Sequence, residues 1–221
     1  MTQKTYTQYL QAIIVGFQAG EPILVNMLGR KIAAEYALDE KKACAAAAVA
    51  IKRIYDAGTF PELRNFGKGI YYLTKQTVFG EMGINKEKLI EIKYLAGNSG
   101  YETGTAMMHK IGLTSLMPAE RVFVSNKAQG RTKKDKTLDI TVKAPKVTID
   151  EENRAYLQFL DLLNIYDEVP VDAENPYGIL GNFVHERNLD YGRLLHLADR
   201  HYNGDTIIRL AHVAGTEGVR I

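Results

Sequence analysis

YDAGTFPELRNFGKGIYYLTK, residues 55–75, joins a helix end to a glycine and then to two short segments on either side of FGKG. Gly67 and Gly69 permit a tight turn at positive φ, so PELRN and GIYYLTK read as the strands of a hairpin. Arg64, Asn65 and Lys68 make that hairpin basic. A plain hairpin needs neither a helix before it nor positive charge at its tip. A wing that lies on DNA uses both.

The residues before the hairpin supply the helices that such a wing requires. Asp39 is placed to accept the free N–H groups of a helix's first turn. At about 100° per residue, Cys44, Ala47, Ala48, Ile51, Ile54 and Tyr55 share one face of that helix. Lys41, Lys42, Ala45, Ala46, Val49, Lys52 and Arg53 share the other, and Gly58 closes the helix. Further upstream, Tyr6, Tyr9, Leu10, Ile13, Ile14 and Phe17 keep helical spacing until Gly20 and Pro22. VNMLGRKIAAEYAL predicts a second helix, with Asn26 as its cap and Leu28, Ile32 and Tyr36 on one side; Gly29 is an unfavourable residue inside it. Three helices followed by a hairpin is the order of a winged helix-turn-helix, which we assign to residues 1–80.

In such a unit the third helix enters the major groove by its N-terminal half, where Lys41 and Lys42 stand. The small side chains of Ala45 and Ala46 let the backbone approach closely, and Val49 suits a thymine methyl. Lys52 and Arg53 suit phosphates. Arg64, Asn65 and Lys68 reach a neighbouring phosphate run or the minor groove. Phosphate contacts position a protein without reading sequence. Few of these side chains read a base in a bidentate way. Modest specificity per monomer is therefore expected, supplemented by a homodimer or by paired half-sites. The bland alternative is a solvated face rich in lysine and alanine.

Downstream, QTVFGEMGINK (residues 76–86) reads as a connector, and KEKLIEIKYLAG and ETGTAMMHKIG as short helices. ERVFVSN and KTLDITVKA alternate like strands, joined by the polar loop KAQGRTKKDK. From Asp150 the spacing is helical: Tyr156, Phe159, Leu160 and Leu163 share a face, as do Tyr191, Leu194, Leu195 and Ala198. The expected fold class is thus α+β. A winged helix-turn-helix is followed by an α+β domain over residues 81–221 that is helical from about residue 150.

The formal net charge of +2 hides an asymmetry. Residues 1–75 hold ten Lys and Arg against six Asp and Glu, residues 121–146 eight against two, and residues 147–221 six against thirteen. Two basic regions and an acidic end point to anionic contacts in one part of the chain. One cysteine, Cys44, allows no internal disulfide, and a reducing, cytoplasmic setting is expected. The first residues lack the apolar run of a secretory leader, and nothing approaches the ~20 apolar residues of a membrane span.

AIKRIYDAGTFPELRNFGKGIYYLTK resembles the end of the winged helix in AbiEi-like antitoxins, the regulator half of abortive-infection toxin–antitoxin pairs. The matching residues are Arg53-Ile54, Gly58, Arg64 and Gly69-Ile70-Tyr71-Tyr72. The resemblance continues in order through Tyr101, Gly104, Ala106, Gly112-Leu113-Thr114, Pro118 and Val122-Phe123-Val124, so that it spans residues 5–146. It implies a repressor of its own operon that counteracts a nucleotidyltransferase-like toxin encoded beside it, without necessarily forming a stable complex. No cofactor and no enzymatic activity are expected. The helical region after residue 150 matches no part of that pattern.

Other constellations compete. GNSGYETGT (residues 97–105) is faintly like a phosphate-cradling loop but lacks the Gly-Lys-[Ser/Thr] ending; a tight turn before a packed helix is the better reading. His196 and His201 are five apart, off the spacing that puts two zinc ligands on one helix face, and His185 begins no zinc-protease motif, so no metal is expected. Cys44, on the apolar face, reads as packing. Asp139 and Lys143 on one strand after a basic loop offer a metal-dependent nuclease, and a winged-helix regulator with no toxin partner is a further alternative. Lys127, Arg131, Lys133, Lys134 and Lys136 form either a solvated hairpin tip or a second nucleic-acid contact.

Overall fold

In the computed structural model, which describes residues 4–128, 130–216 and 218, the first helix, α1 (Tyr6–Ile14), starts at a capping box. Thr5 accepts from the Gln8 backbone while the Gln8 side chain accepts from the Thr5 N–H, satisfying two of the helix's open donors. A two-residue strand, β1 (Ile23–Leu24), leads directly into α2 (Val25–Tyr36). The cap position of α2 is Leu24 and it makes no side-chain cap bond. Asn26, the expected cap, lies inside the helix because β1 carries the extended backbone right up to Leu24.

Helix α3 (Glu40–Asp56) is capped by Asp39, whose Oδ1 accepts from the backbone N–H groups of Lys41 (2.9 Å) and Lys42 (3.1 Å). Its buried residues are Ala43, Ala47, Ala50, Ile51 and Ile54. The buried stripe is therefore rolled from the expected one, since Ala48 and Tyr55 are exposed and Ala43 and Ala50 are covered. Packing causes the roll. A Cβ at Gly29, in the middle of α2, would stand 2.5 Å from Cys44 Sγ and 2.8 Å from Cys44 Cα. The two helix backbones touch there, so only glycine fits, and the residue that looked like a weakness in α2 is the seam of the pair.

Strands β2 (Leu63–Gly67) and β3 (Ile70–Leu73) follow, and the sheet order is β1-β3-β2, antiparallel throughout. A bulge at Phe66 interrupts the register between Asn65 and Gly67, and Gly69 turns the chain at φ +72°. Leu63 and Tyr71 face the helices, joining Leu10, Ile14, Leu28, Ile32, Ile51 and Ile54 in one core. The supposed connector contains a hairpin of its own, β4 (Gln76–Thr77) and β5 (Gly80–Glu81). A short helix, α4 (Lys86–Ile90), comes next, and the chain divides into two units between Leu89 and Ile90.

In the second unit a π turn (Glu91–Leu95) precedes β6 (Gly100–Thr103) and α5 (Gly104–Lys110). The GNSGYETGT segment is thus a strand as well as a turn. β7 (Arg121–Ser125), β8 (Lys133–Asp135) and β9 (Ile140–Lys143) complete a sheet of order β6-β7-β9-β8. β7 and β9 are parallel neighbours, and the basic loop between them carries β8, which pairs antiparallel with β9. Asp139 is not on the strand: it stands in the turn before β9 with φ +55°. The same-face geometry expected of Asp139 and Lys143 does not occur.

Helices α6 (Arg154–Asn164), α7 (Pro176–Glu186), α8 (Tyr191–His201) and α9 (Gly204–Thr216) enclose a core of Phe159, Leu160, Leu163, Phe183, Leu194 and Leu210. One half-buried carboxylate ties this core to the sheet. Asp161 of α6 accepts from the hydroxyls of Tyr101 on β6 and Tyr202 after α8, each at 2.8 Å. Burial raises the Asp161 carboxyl above the usual aspartate value against the opposing pull of those two bonds and of Lys146 and Lys143.

Two outcomes test this packing. Gly29→Ala should destabilise the protein by about 1–3 kcal/mol in denaturant melts, the usual cost of overpacking. Adding Cys44→Ala should restore only part of that stability, because the clash involves the Cys44 backbone as well as its sulfur. The raised Asp161 value means the folded state holds its proton more tightly than the unfolded chain. Its stabilising contribution is complete below the ordinary aspartate pKa and fades as pH rises through the folded value. The stability difference between wild type and Asp161→Asn should therefore shift against wild type as pH is raised over that interval. A difference that is flat with pH would contradict the assignment.

Candidate nucleic-acid interface

Capping decides what the start of α3 presents. Asp39 turns its carboxylate inward to the first-turn amides, and Lys41 and Lys42 are left exposed on the outer side. Ala45 and Val49 continue that outer face, with Val49 51% exposed. Ala46 is half-buried. Arg53 closes the face at the last turn, exposed, where its charge also suits the helix dipole. Lys41, Lys42, Arg53 and, in the hairpin turn, Lys68 make no ion pair among the described residues. Asn65 is exposed beside the bulge.

Two of the expected contacts are already engaged within the unit. Lys52 Nζ lies 2.7 Å from Asp56 Oδ2, one helical turn on. That hydrogen bond holds the ammonium above the ordinary lysine value. Arg64 is more fully committed. Its guanidinium donates to the carbonyls of Pro61 (2.7 Å) and Leu63 (3.1 Å) and pairs with Glu81 of β5 at 2.6 Å. Arg64 therefore braces the β4–β5 hairpin against β2. Sequence alone does not show this, because Glu81 lies in a segment that reads as a connector.

The second basic set divides in the same way. Lys127, Arg131, Lys133, Lys134 and Lys136 are all exposed. Lys133 and Lys134 lie on β8, the edge strand of the sheet, where lysines block pairing with another chain's strand. Lys134 Nζ is 3.2 Å from Glu120 and 4.0 Å from Asp139. The loop is not a loose tip: buried Asp135 pins it, taking Lys93 Nζ at 2.5 Å, Tyr94 OH at 2.7 Å and the backbone N–H groups of Thr137 and Leu138. Burial works against that charge, yet the bonds from Lys93 and Tyr94 outweigh it and hold the Asp135 carboxyl below the usual range.

Among the described residues, no group of three His, Cys, Asp or Glu side chains is placed to hold a metal ion, and no helix is long and apolar enough to cross a membrane. Cys44 is half-buried against Gly29 of α2, in a packing position. A scan of family models and a search of curated proteins give no match to the chain.

Removing the Arg64 guanidinium tests its bracing role directly. Arg64→Ala should speed amide exchange in the 76–82 hairpin while lowering global stability by no more than about 1 kcal/mol, since the pair with Glu81 is partly exposed. Unchanged exchange in that hairpin would show that the ion pair braces nothing.

Proposed function

We propose that the first unit is a winged helix that binds duplex DNA and that the protein is a transcriptional regulator. The observation that carries this reading is the outer face of α3. Lys41, Lys42 and Arg53, unpaired among the described residues, flank small or apolar positions at Ala45 and Val49. Support comes from the order α1, β1, α2, α3, β2, β3 with the sheet β1-β3-β2, which is compatible with a winged helix, and from Lys68 at the hairpin turn. In that reading α3 lies in the major groove, Lys41 and Lys42 leading, and Lys68 reaches an adjacent phosphate. Lys52 and Arg64 contribute less than their charges suggest, being held by Asp56 and Glu81.

The resemblance of residues 5–146 to AbiEi-like antitoxins extends the reading. The regulator would repress its own operon and oppose a nucleotidyltransferase-like toxin encoded beside it, and act in the cytoplasm. The nuclease alternative loses its geometric basis with Asp139 outside the strand. Normal growth on expressing the neighbouring gene without this protein would refute the antitoxin role and leave a regulator alone.

Binding to the duplex just upstream of its own gene, against a scrambled duplex at two salt concentrations, tests the DNA reading. Wild type should prefer the upstream duplex and bind more weakly in high salt. Lys42→Ala with Arg53→Ala should lower the salt exponent by roughly one for each phosphate no longer neutralised, and Lys68→Ala should do less. Equal binding to both duplexes at both salts would overturn it.

A further inference from the structure

Residues 147–221 carry thirteen Asp and Glu against six Arg and no Lys, so an arginine in this stretch has carboxylates within easy reach. Arg193 takes one: it stands 3.5 Å from Glu152, with its guanidinium 4.8 Å from the centre of the Tyr156 ring. Arg209 takes Asp167 and the Leu163 carbonyl. Arg154 and Arg187 pair with no carboxylate among the described residues. Arg154, the first residue of α6, donates from Nε to the Gly100 carbonyl at 2.7 Å. That bond fixes the side chain and leaves its two Nη groups without an acceptor among the described residues. Arg187, just past the end of α7, lays its guanidinium 4.2 Å from the centre of the Phe183 ring. The turn that follows is tied to the start of α6, since the Asp190 N–H donates to the Tyr156 hydroxyl at 3.1 Å. Partial burial and then the charge of Arg154 push the Arg187 pKa below the ordinary arginine value, and Glu186 opposes them only weakly. The two guanidinium groups therefore stand close enough to repel.

We propose that Arg154 and Arg187 form a binding site for a phosphate dianion in the second unit. Like charges held together and partly desolvated cost free energy unless an anion joins them. The carboxylates nearby are engaged elsewhere. Asp150 accepts from the backbone and the amide of Asn153, Glu152 holds Arg193, and Asp190 accepts from the Arg193 N–H. Guanidinium forks match phosphate oxygens in bidentate fashion. Two positive charges balance a dianion, whereas a carboxylate would balance only one of them. Both side chains are also positioned beforehand, Arg154 by the Gly100 carbonyl and Arg187 by the Phe183 ring, so little rotamer freedom is lost on binding. The site lies wholly within the second unit and does not depend on the DNA-binding reading of the first.

The test melts the full chain in inorganic phosphate and in chloride at equal ionic strength and neutral pH. Phosphate should raise the wild-type midpoint above that in chloride, as a ligand bound only by the folded state does. Exclusion of phosphate from protein surfaces also raises midpoints, but equally in every variant. Arg187→Gln should lose the additional rise. In chloride it should melt no lower than wild type, because removing one of two like charges relieves their repulsion; a merely structural arginine would melt lower when replaced. Arg154→Lys keeps the charge but not the fork, and should weaken phosphate binding about tenfold in a phosphorus NMR titration. Arg193→Gln, whose arginine is already held by Glu152, should bind phosphate as wild type does. A short duplex added to the phosphate-bound protein separates two sources of the same group. Release of phosphate marks a nucleic-acid phosphate as the occupant, and its retention marks a free phosphate compound; both keep the site. A wild type that leaves the phosphate resonance unbroadened would overturn the proposal. So would an Arg187→Gln variant that responds to phosphate as wild type does, or one that melts lower than wild type in chloride.

Discussion

The contact between Gly29 and Cys44 governs what the first unit shows to solvent. Helices ordinarily pack with axes about 8–10 Å apart, the spacing set by the side chains between them. At this seam there is no side chain on one partner, and the place where its Cβ would stand is within 2.8 Å of the other helix's Cα. α3 can lie so close only by covering small residues, Ala43, Ala47 and Ala50, along with Ile51 and Ile54. Its roll about its own axis is then fixed. Lys41, Lys42, Ala45, Val49 and Arg53 face outward as a consequence. The basic face follows from a packing constraint on the opposite side of the helix.

That constraint is only half legible in the sequence. Asp39 announces the start of α3, because a carboxylate ahead of a helical run has one obvious use. The roll is not legible. In EKKACAAAAVA most positions are alanine, so periodicity cannot tell which alanines are covered. Gly29 looks unfavourable because helix propensity weighs the isolated helix, whereas its value lies in the neighbour it admits. Strand direction is equally invisible. Alternation identifies β7 and β9 but is identical in parallel and antiparallel pairs, and the three residues of β8 in the basic loop are too few to show a period. β6 is hidden for the same reason, being four residues long.

Charge is the most readable quantity at the level of regions and the least readable residue by residue. The excess of lysine and arginine in residues 1–75 and 121–146 is plain from composition. Its division between committed and available groups depends on partners distant in sequence: Glu81 for Arg64, Glu120 for Lys134. Asp135 shows the converse. It sits among lysines and looks like one more solvated charge, yet it is buried and anchors its loop through Lys93 and Tyr94. A carboxylate desolvated to that degree persists as an anion because donors surround it.

The available cations also bound how the first unit could hold DNA. On α3 and the β2–β3 hairpin, Lys41, Lys42, Arg53 and Lys68 are without an ion pair among the described residues. Four phosphate contacts correspond to a salt exponent of roughly −4, and so to an affinity drop of about 10² between 50 and 200 mM salt. An interface resting on those contacts alone would be weak and indifferent to sequence under physiological conditions. In such an interface base-edge contacts would contribute little, since the face offers Ala45 and Val49 where bidentate readers would stand. Selectivity in such an interface would have to come from elsewhere: from two copies on paired half-sites, or from the energy of deforming the duplex, which varies with sequence at positions the protein never touches.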